Sequence, residues 1–254
     1  TSGTVWQNQL SVSPAAVGEH SLDDNALKVP FGVGEKSTFD VRFGAVKVGS
    51  GSLMVVGRET IRGREAWHTA FTVEGGVPFY RVDDRYESWF DVTNLNSLAF
   101  NRQIEEGSRE RTQIYEIMAD RGQYIEKTRQ KTTVKKTVDN PLDEGAFLFF
   151  VRTIPLVVGQ TYDFNRYFIP DRNPVRIRVL RKERVTVPAG TFNAIVIQPI
   201  IKTRGIFSEK GQAEVWLSDD ETRMLLQLKS KLSFGSLNLY LKSYTPPTGQ
   251  RASR

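Results

Sequence analysis

Apolar and polar residues alternate along most of this chain between residues 35 and 244, and this alternation predicts β-strands. Successive side chains of a strand point to opposite faces, so a period of two indicates a sheet with one buried face. Glycine-containing segments at 49–51, 63 and 75–76 predict turns between the first strands. The predicted strands cover residues 38–43, 44–56, 66–73, 80–92, 109–118, 123–138, 175–187, 193–202, 211–217, 224–232 and 236–243.

The clearest turn signal is the segment 185–192, Val-Thr-Val-Pro-Ala-Gly-Thr-Phe. Pro188 fixes its φ at about −65°, and Gly190 can adopt a positive φ, so the chain can reverse tightly here. A second hairpin is predicted around residues 120–122. Short strands joined by hairpins indicate a mostly β fold, a curved antiparallel meander that forms a barrel or half-barrel.

One helix is predicted to interrupt the strands within residues 139–155. The segment opens with Asp-Asn-Pro-Leu-Asp-Glu-Gly, which offers an Asn or Asp cap, a proline in the first turn and acidic residues near the amide end. Apolar residues then recur at helical spacing from Leu142 to Phe150, and the helix should end before Pro155. Its apolar face requires cover, so we expect this short helix to pack on or into the barrel.

These patterns divide the chain into five parts. Residues 1–30 are predicted to be an extended arm, 31–138 a first β segment, 139–155 the helix with a connector, 156–244 a second β segment, and 245–254 a basic tail. No residue-level repeat relates the two β segments.

Composition narrows the possible compartment and partners. The chain has 254 residues, a formal net charge of +6 and no cysteine. The charge favours anionic partners, and the lack of cysteine excludes disulfides, thiolate catalysis and cysteine metal sites. No apolar run reaches the about 20 residues that a membrane span needs. The start at Thr1-Ser2-Gly3, without a methionine, fits an exported protein after removal of its signal peptide, or a chain that is simply trimmed at this end.

Motifs for catalysis are weak throughout. Residues 32–38 resemble a phosphate-binding loop only superficially, because a glutamate precedes the lysine and a strand follows. The two histidines, His20 and His68, have no partners in a recognisable order. Acidic groups at 83–91 and 219–221 are interpreted as structural. We therefore predict no enzyme activity, and no catalytic, metal or cofactor site.

Basic residues on two predicted strands are the candidate partner-binding positions. They are Lys127, Arg129 and Lys131 on the first strand, and Arg176, Arg178, Lys182 and Arg184 on the second. Each set is expected to lie on one strand face, either as a solvated outer face or as a surface for anionic lipid or an acidic protein. Few aromatic residues alternate with them, which argues against nucleic acid. In the arm, Trp6 and Leu10 are the apolar residues that could hold it against a partner.

Aromatic residues cluster within residues 79–90 and 147–168. They can fill the interior of the barrel. In a curved sheet with an incompletely filled interior, they would instead line an apolar ligand cavity on the order of several hundred Å³.

Several segments together resemble a secreted bacterial family catalogued as domain of unknown function 3108. They are Glu35, residues 39–43, 48–53, 84–91, 143–152, 187–192 and 215–220, Arg223, and residues 229–241. The resemblance spans about residues 31–244. It implies an exported β protein of the cell envelope, and it transfers no catalytic residue to this chain.

Two functions follow as expectations. The first is a non-catalytic periplasmic protein, peripheral to a membrane, that acts as an accessory or scaffold subunit on a membrane protein complex, for example a respiratory or photosynthetic one. Its partner would be that complex or an anionic membrane surface, with no nucleic acid and no cofactor. The alternative is a periplasmic carrier that holds a lipid or another apolar ligand in a half-open barrel.

Overall fold

A single curved antiparallel sheet dominates the structure, a computed structural model that describes residues 27–77, 80–202, 213–232 and 235–248. Its strands are β1 Lys36–Phe43, β2 Val46–Ile61, β3 Arg64–Val77, β4 Tyr80–Asp91, β5 Ser97–Glu106, β6 Arg109–Met118, β7 Gln123–Thr128, β8 Thr132–Lys136, β9 Thr161–Phe164, β10 Val175–Val187, β11 Gly190–Ile200, β12 Glu214–Ser218, β13 Leu225–Leu232 and β14 Gly235–Thr245. One helix, α1, covers Glu144–Phe150. The sheet does not close, so the predicted half-barrel with one short helix is confirmed.

The strand order explains how the two halves of the chain form one sheet. Strands β1 to β8 follow one another as neighbours, and so do β9 to β14. The halves join where β1 pairs with β14, for example at Val41 and Leu239. Strands β8 and β9 are consequently the two edges of the sheet, and the described residues contain no pairing between them.

The predicted hairpin corner lies between β10 and β11. Strand β10 ends at Val187 and β11 begins at Gly190, whose φ is 137°. Only glycine adopts such a φ without strain, which is the role that the sequence predicted for it. The amide of Ala189 donates to the carbonyl of Leu241 over 3.0 Å, and this bond ties the corner to β14.

Two predicted turns are wrong, because their glycines lie inside long strands. Gly49 belongs to β2 and pairs with Gly75 of β3. A Cβ on Gly49 would lie 2.0 Å from the carbonyl oxygen of Glu74, and one on Gly75 would lie 2.4 Å from that of Val48. The two glycines therefore permit a close approach of backbones, and the chain does not reverse there.

Helix α1 begins after a cap at Asp143, whose side chain accepts hydrogen bonds from the amides of Gly145 and Ala146. Pro141 lies before this cap and not in the first turn of the helix. The helix packs against β3 and β4, and the Cβ position of Gly145 would be 2.8 Å from that of Ser88. We call the sheet face that α1 covers the inner face, and the opposite one the outer face.

The core lies between the inner face and α1, and it is rich in aromatic rings. Phe149 of the helix is 5.7 Å from Phe90 and 5.0 Å from Phe31, measured between ring centroids. Further along the inner face, Phe168 contacts Phe100 and two tyrosines. Many of the clustered aromatic residues thus serve as core.

Candidate functional site

The basic residues of the first predicted strand lie on β7 and in the turn that follows it. Strand β7 ends at Thr128, so Arg129 and Lys131 belong to the turn before β8 and do not share a strand face with Lys127. The expected single strand over residues 123–138 is wrong here. The ammonium of Lys127 pairs with Glu116, and Arg129 pairs with Glu110. Lys131 is exposed and forms no ion pair with a described residue.

Strand β8 presents apolar and basic side chains at the edge of the sheet. The register places Thr133 opposite Glu126 and Glu126 opposite Tyr115, all on the inner face. Their neighbours Val134 and Ile114 therefore lie on the outer face, where they are 60% and 41% exposed. We call Ile114, Lys127, Lys131, Val134 and Lys136 the β8 patch.

Charge along this part of the chain is uniform. Residues 127–138 contain five basic and no acidic residues. Lys135 belongs to this run but lies on the inner face, where its ammonium pairs with Glu126 at 2.8 Å. Lys136 is exposed and has no ion-pair partner among the described residues. The edge strand and its turn thus combine an exposed apolar side chain with a net positive charge.

The basic residues of β10 do not share one face as expected, because a β-bulge shifts the register between Val179 and Arg181. Val179 is opposite Ile197, whereas Arg181 is opposite Val196, so the alternation changes phase at the bulge. The four predicted residues fall into two pairs on opposite faces, as follows: Arg176 and Arg178 on the outer face, Lys182 and Arg184 on the inner side.

Ion pairs also reduce the free charge of β10. Arg176 donates two hydrogen bonds of 2.7 Å to Asp163, and Lys182 lies 2.8 Å from a carboxylate oxygen of Asp219. Arg178 and Arg184 are exposed without an ion pair to a described residue.

Two of the predicted partner-binding residues belong to the N-terminal arm. Trp6 and Leu10 lie outside the described residues. Of the tail, residues 245–248 are described, and Thr248 returns to the body of the protein through its amide, which donates to the carbonyl of Val33 over 2.9 Å.

A buried ion pair forms at the C-terminal end of α1. Arg152 follows the helix and donates to the Glu35 carboxylate from both terminal nitrogens, at 2.7 and 3.3 Å. It also donates to the carbonyl oxygens of Thr222 and Pro30. The side chain of Arg152 is only 2% exposed, and that of Glu35 is only 6% exposed. The pair therefore links the residues before β1, the helix and the β12–β13 turn, which is a structural role.

The N-terminal end of α1 holds a carboxylate without a cation. Asp143 is fully buried, and its Oδ2 accepts a 2.7 Å hydrogen bond from Ser88 in addition to the cap bonds. Burial raises the pKa of this carboxyl group to about 6, although the hydrogen bonds from Ser97, Ala146 and Ser88 act in the opposite direction.

His68 has partners that the sequence does not reveal. On the outer face, its ring nitrogens lie 2.7 Å from Glu59 and 3.3 Å from Glu87, and its ring stacks on Trp89 at 4.4 Å between centroids. The indole of Trp89 also donates to Glu59. These residues come from three strands, so only the register brings them together.

Comparison with known proteins identifies the family of this chain. Residues 38–242 match the family described as Protein of unknown function (DUF3108), and the chain belongs to it. No curated protein matches the chain. No helix among the described residues is long and apolar enough to span a membrane.

Two solved structures are similar to this chain. A β-barrel-like protein of the domain of unknown function DUF1849 from Brucella abortus has 8% sequence identity and a TM-score of 0.51, with 86% of this chain and 99% of that chain covered. A putative lipoprotein from Parabacteroides distasonis has 12% identity and a TM-score of 0.33, with coverages of 85% and 98%. At such identities, the first likeness supports the barrel-like fold alone.

Proposed function

We propose that this protein is a non-catalytic accessory or scaffold subunit in the periplasm, peripheral to a membrane, which docks through the β8 patch on an acidic surface of a membrane protein complex. The observation that carries the proposal is the run of residues 127–138, with five basic and no acidic residues, at an edge of the sheet. Val134, 60% exposed, lies within this run.

The nature of the edge favours an acidic partner over a second copy of the chain. An edge strand offers unpaired backbone groups to another strand, and lysines on such an edge oppose self-association. Two β8 patches facing each other would bring like charges together, whereas an acidic surface would complement Lys131 and Lys136. The exposed Val134 would then be buried by the partner.

The roles of the buried charges agree with a protein that performs no catalysis. Arg152 and Glu35 hold three segments together, and Asp143 caps the helix. The aromatic residues on the inner face pack against one another and against α1, which favours docking over the carrier alternative.

Photo-crosslinking tests the docking surface directly. A photoreactive residue, p-benzoylphenylalanine, would replace Val134, and in a matched control it would replace Val46, an exposed valine on β2. After irradiation of intact cells, we expect the Val134 variant to link to one membrane protein subunit and the Val46 variant to link to none.

Charge reversal provides the second arm of the test. Lys131→Glu with Lys136→Glu should abolish co-purification of that subunit from detergent-solubilised envelope. Lys36→Glu with Lys242→Glu makes the same change in charge at other exposed positions and should leave it intact. If both pairs act alike, or if the protein emerges without a partner and with tightly bound lipid, the docking proposal is overturned and the carrier takes its place.

A further inference from the structure

A polar groove opens on the surface directly after β8. Its volume is about 650 Å³, and its lining residues are Asn94, Val138, Asp139, Asn140, Asn165 and Arg166. None of these residues belongs to the β8 patch, so the groove and the proposed docking surface are separate.

Arg166 is held firmly in this groove by neutral groups. Its Nε donates to the carbonyl of Asn140 at 3.0 Å, and Nη2 donates to the carbonyl of Asn94 at 3.2 Å and to Oδ1 of Asn96 at 2.8 Å. The guanidinium also lies over the ring of Phe150, 4.7 Å from its centroid. These contacts fix the orientation of the guanidinium in advance of any ligand.

The charge of Arg166 is not neutralised by the protein. No described carboxylate forms an ion pair with it. Three hydrogen bonds occupy Nε and Nη2, while Nη1 has no partner among the described residues. Burial lowers the pKa of Arg166 to about 10, because desolvation disfavours the charged form.

The neighbouring amides add hydrogen-bond donors. Oδ1 of Asn94 accepts from the backbone amide of Asn96 at 2.9 Å, and Oδ1 of Asn140 accepts from Nδ2 of Asn96 at 3.3 Å. The NH₂ groups of Asn94 and Asn140 have no partner among the described residues, so they remain available to a ligand. The exposed carboxylate of Asp139 is the one acidic group that lines the groove, and it opposes an anion.

We propose that this groove binds a phosphate group, which Nη1 of Arg166 and the NH₂ groups of Asn94 and Asn140 recognise. An uncompensated guanidinium with two amide NH₂ groups beside it matches a tetrahedral oxyanion, which accepts several hydrogen bonds at once. A soluble phosphate compound and a phospholipid headgroup share this chemistry.

Inorganic phosphate is the first probe, with chloride at equal ionic strength as the reference. Binding would be followed by NMR of the Arg166 guanidinium and the asparagine side-chain amides. Asn94→Asp keeps the Oδ1 acceptor but places a carboxylate in the groove, so we expect affinity to fall by about fivefold or more. Asp139→Asn removes the opposing charge and should raise affinity by about twofold to fivefold.

Glu74→Gln is the matched control, since Glu74 is an exposed acid on β3 outside the groove. It makes the same change in net charge as Asp139→Asn and should leave phosphate affinity unchanged. Thermal unfolding of each variant checks that the fold is retained. Equal affinities in all four proteins, or binding that does not saturate, would overturn the proposal.

Vesicles then identify the source of the phosphate. If Asn94→Asp weakens binding to phosphatidylglycerol vesicles, with phosphatidylcholine vesicles as the reference, the group belongs to a lipid headgroup. If vesicle binding is absent or unchanged while binding of inorganic phosphate is lost, the ligand is a soluble phosphate compound. Both outcomes support the site.

Discussion

The two ends of helix α1 differ in how their buried charges are stabilised. At the C-terminal end, Arg152 and Glu35 form a buried ion pair that joins three parts of the fold. At the N-terminal end, neither Asp143 nor Arg166 forms an ion pair with a described residue, and both bond to neutral groups instead. One end of the helix thus joins segments of the fold through an ion pair, whereas the other end holds two charges without an ion-pair partner among the described residues.

The two unpaired charges at the N-terminal end are neighbours in the fold. The amide of Leu142, next to Asp143, donates to the carbonyl of Arg166 over 2.5 Å. Nevertheless, the carboxylate of Asp143 points to the helix amides and Ser88, while the guanidinium of Arg166 points to the loop carbonyls. Each is held by hydrogen bonds to neutral groups, and neither forms an ion pair with a described residue.

Breaking the C-terminal pair should have the largest effect. Glu35→Gln leaves the guanidinium of Arg152 buried without a carboxylate, and such a change typically costs about 3–5 kcal/mol. Urea unfolding at neutral pH would measure the loss in the free energy of unfolding.

A double variant separates charge from packing. Glu35→Met with Arg152→Met removes both charges while filling similar volume, and it should recover most of the stability lost in Glu35→Gln. A loss below about 1 kcal/mol in Glu35→Gln would place this pair among surface ion pairs and refute the cohesive role.

The carboxyl of Asp143 should make stability depend on pH. Its pKa is raised from 3.8 to about 6 in the folded state, so the folded protein binds the proton more tightly than the unfolded chain. The protonated carboxyl therefore contributes its full stabilisation below about pH 4. This contribution falls as the pH rises toward 6 and is lost above that value, which lowers the free energy of unfolding by at most about 3 kcal/mol.

Asp143→Asn supplies the control, because asparagine caps helices about as well as aspartate. Urea unfolding at several pH values between 4 and 7.5 would compare the two proteins. The variant should lack the decline between pH 4 and 6 that the unmodified protein shows. Parallel stability profiles in the two proteins would exclude Asp143 as the source of the decline.

Much of the fold could be predicted from the sequence, because hairpin strands carry a local signal. The period of two, Pro188 with Gly190, and the apolar spacing of α1 each act within a few residues, and the half-barrel follows from them. Strand β5 was missed because Arg102 lies on the inner face beside Phe100, where its Nη2 donates to Gln113 at 2.5 Å. That inward arginine breaks the expected alternation.

The candidate sites were less predictable, because they depend on register and loop geometry. The bulge after Val179 moves the side chains of the second half of β10 to the opposite faces, and no residue pattern signalled it. The groove around Arg166 joins the turn after β4 to segments next to β8 and β9, so its residues are distant in the chain. By contrast, the basic run at 127–138 is visible in the sequence, although its division by a turn is not.

Removing Arg166 should lower the free energy of unfolding least, in contrast to removing Arg152 at the other end of the helix. Arg166→Gln loses hydrogen bonds to neutral acceptors, two of which belong to the exposed residues Asn94 and Asn140, so we expect the free energy of unfolding to fall by only about 1 kcal/mol. Arg152→Gln would cost several times more, since it leaves Glu35 buried and unpaired.

Phosphate should distinguish the two ends further. A ligand that binds the folded state raises stability in proportion to the logarithm of its concentration above Kd. The melting temperature of the unmodified protein should therefore rise in phosphate relative to chloride at equal ionic strength, and that of Arg166→Gln should not. An equal rise in both proteins would show that phosphate acts elsewhere, and the contrast between the helix ends would then concern stability alone.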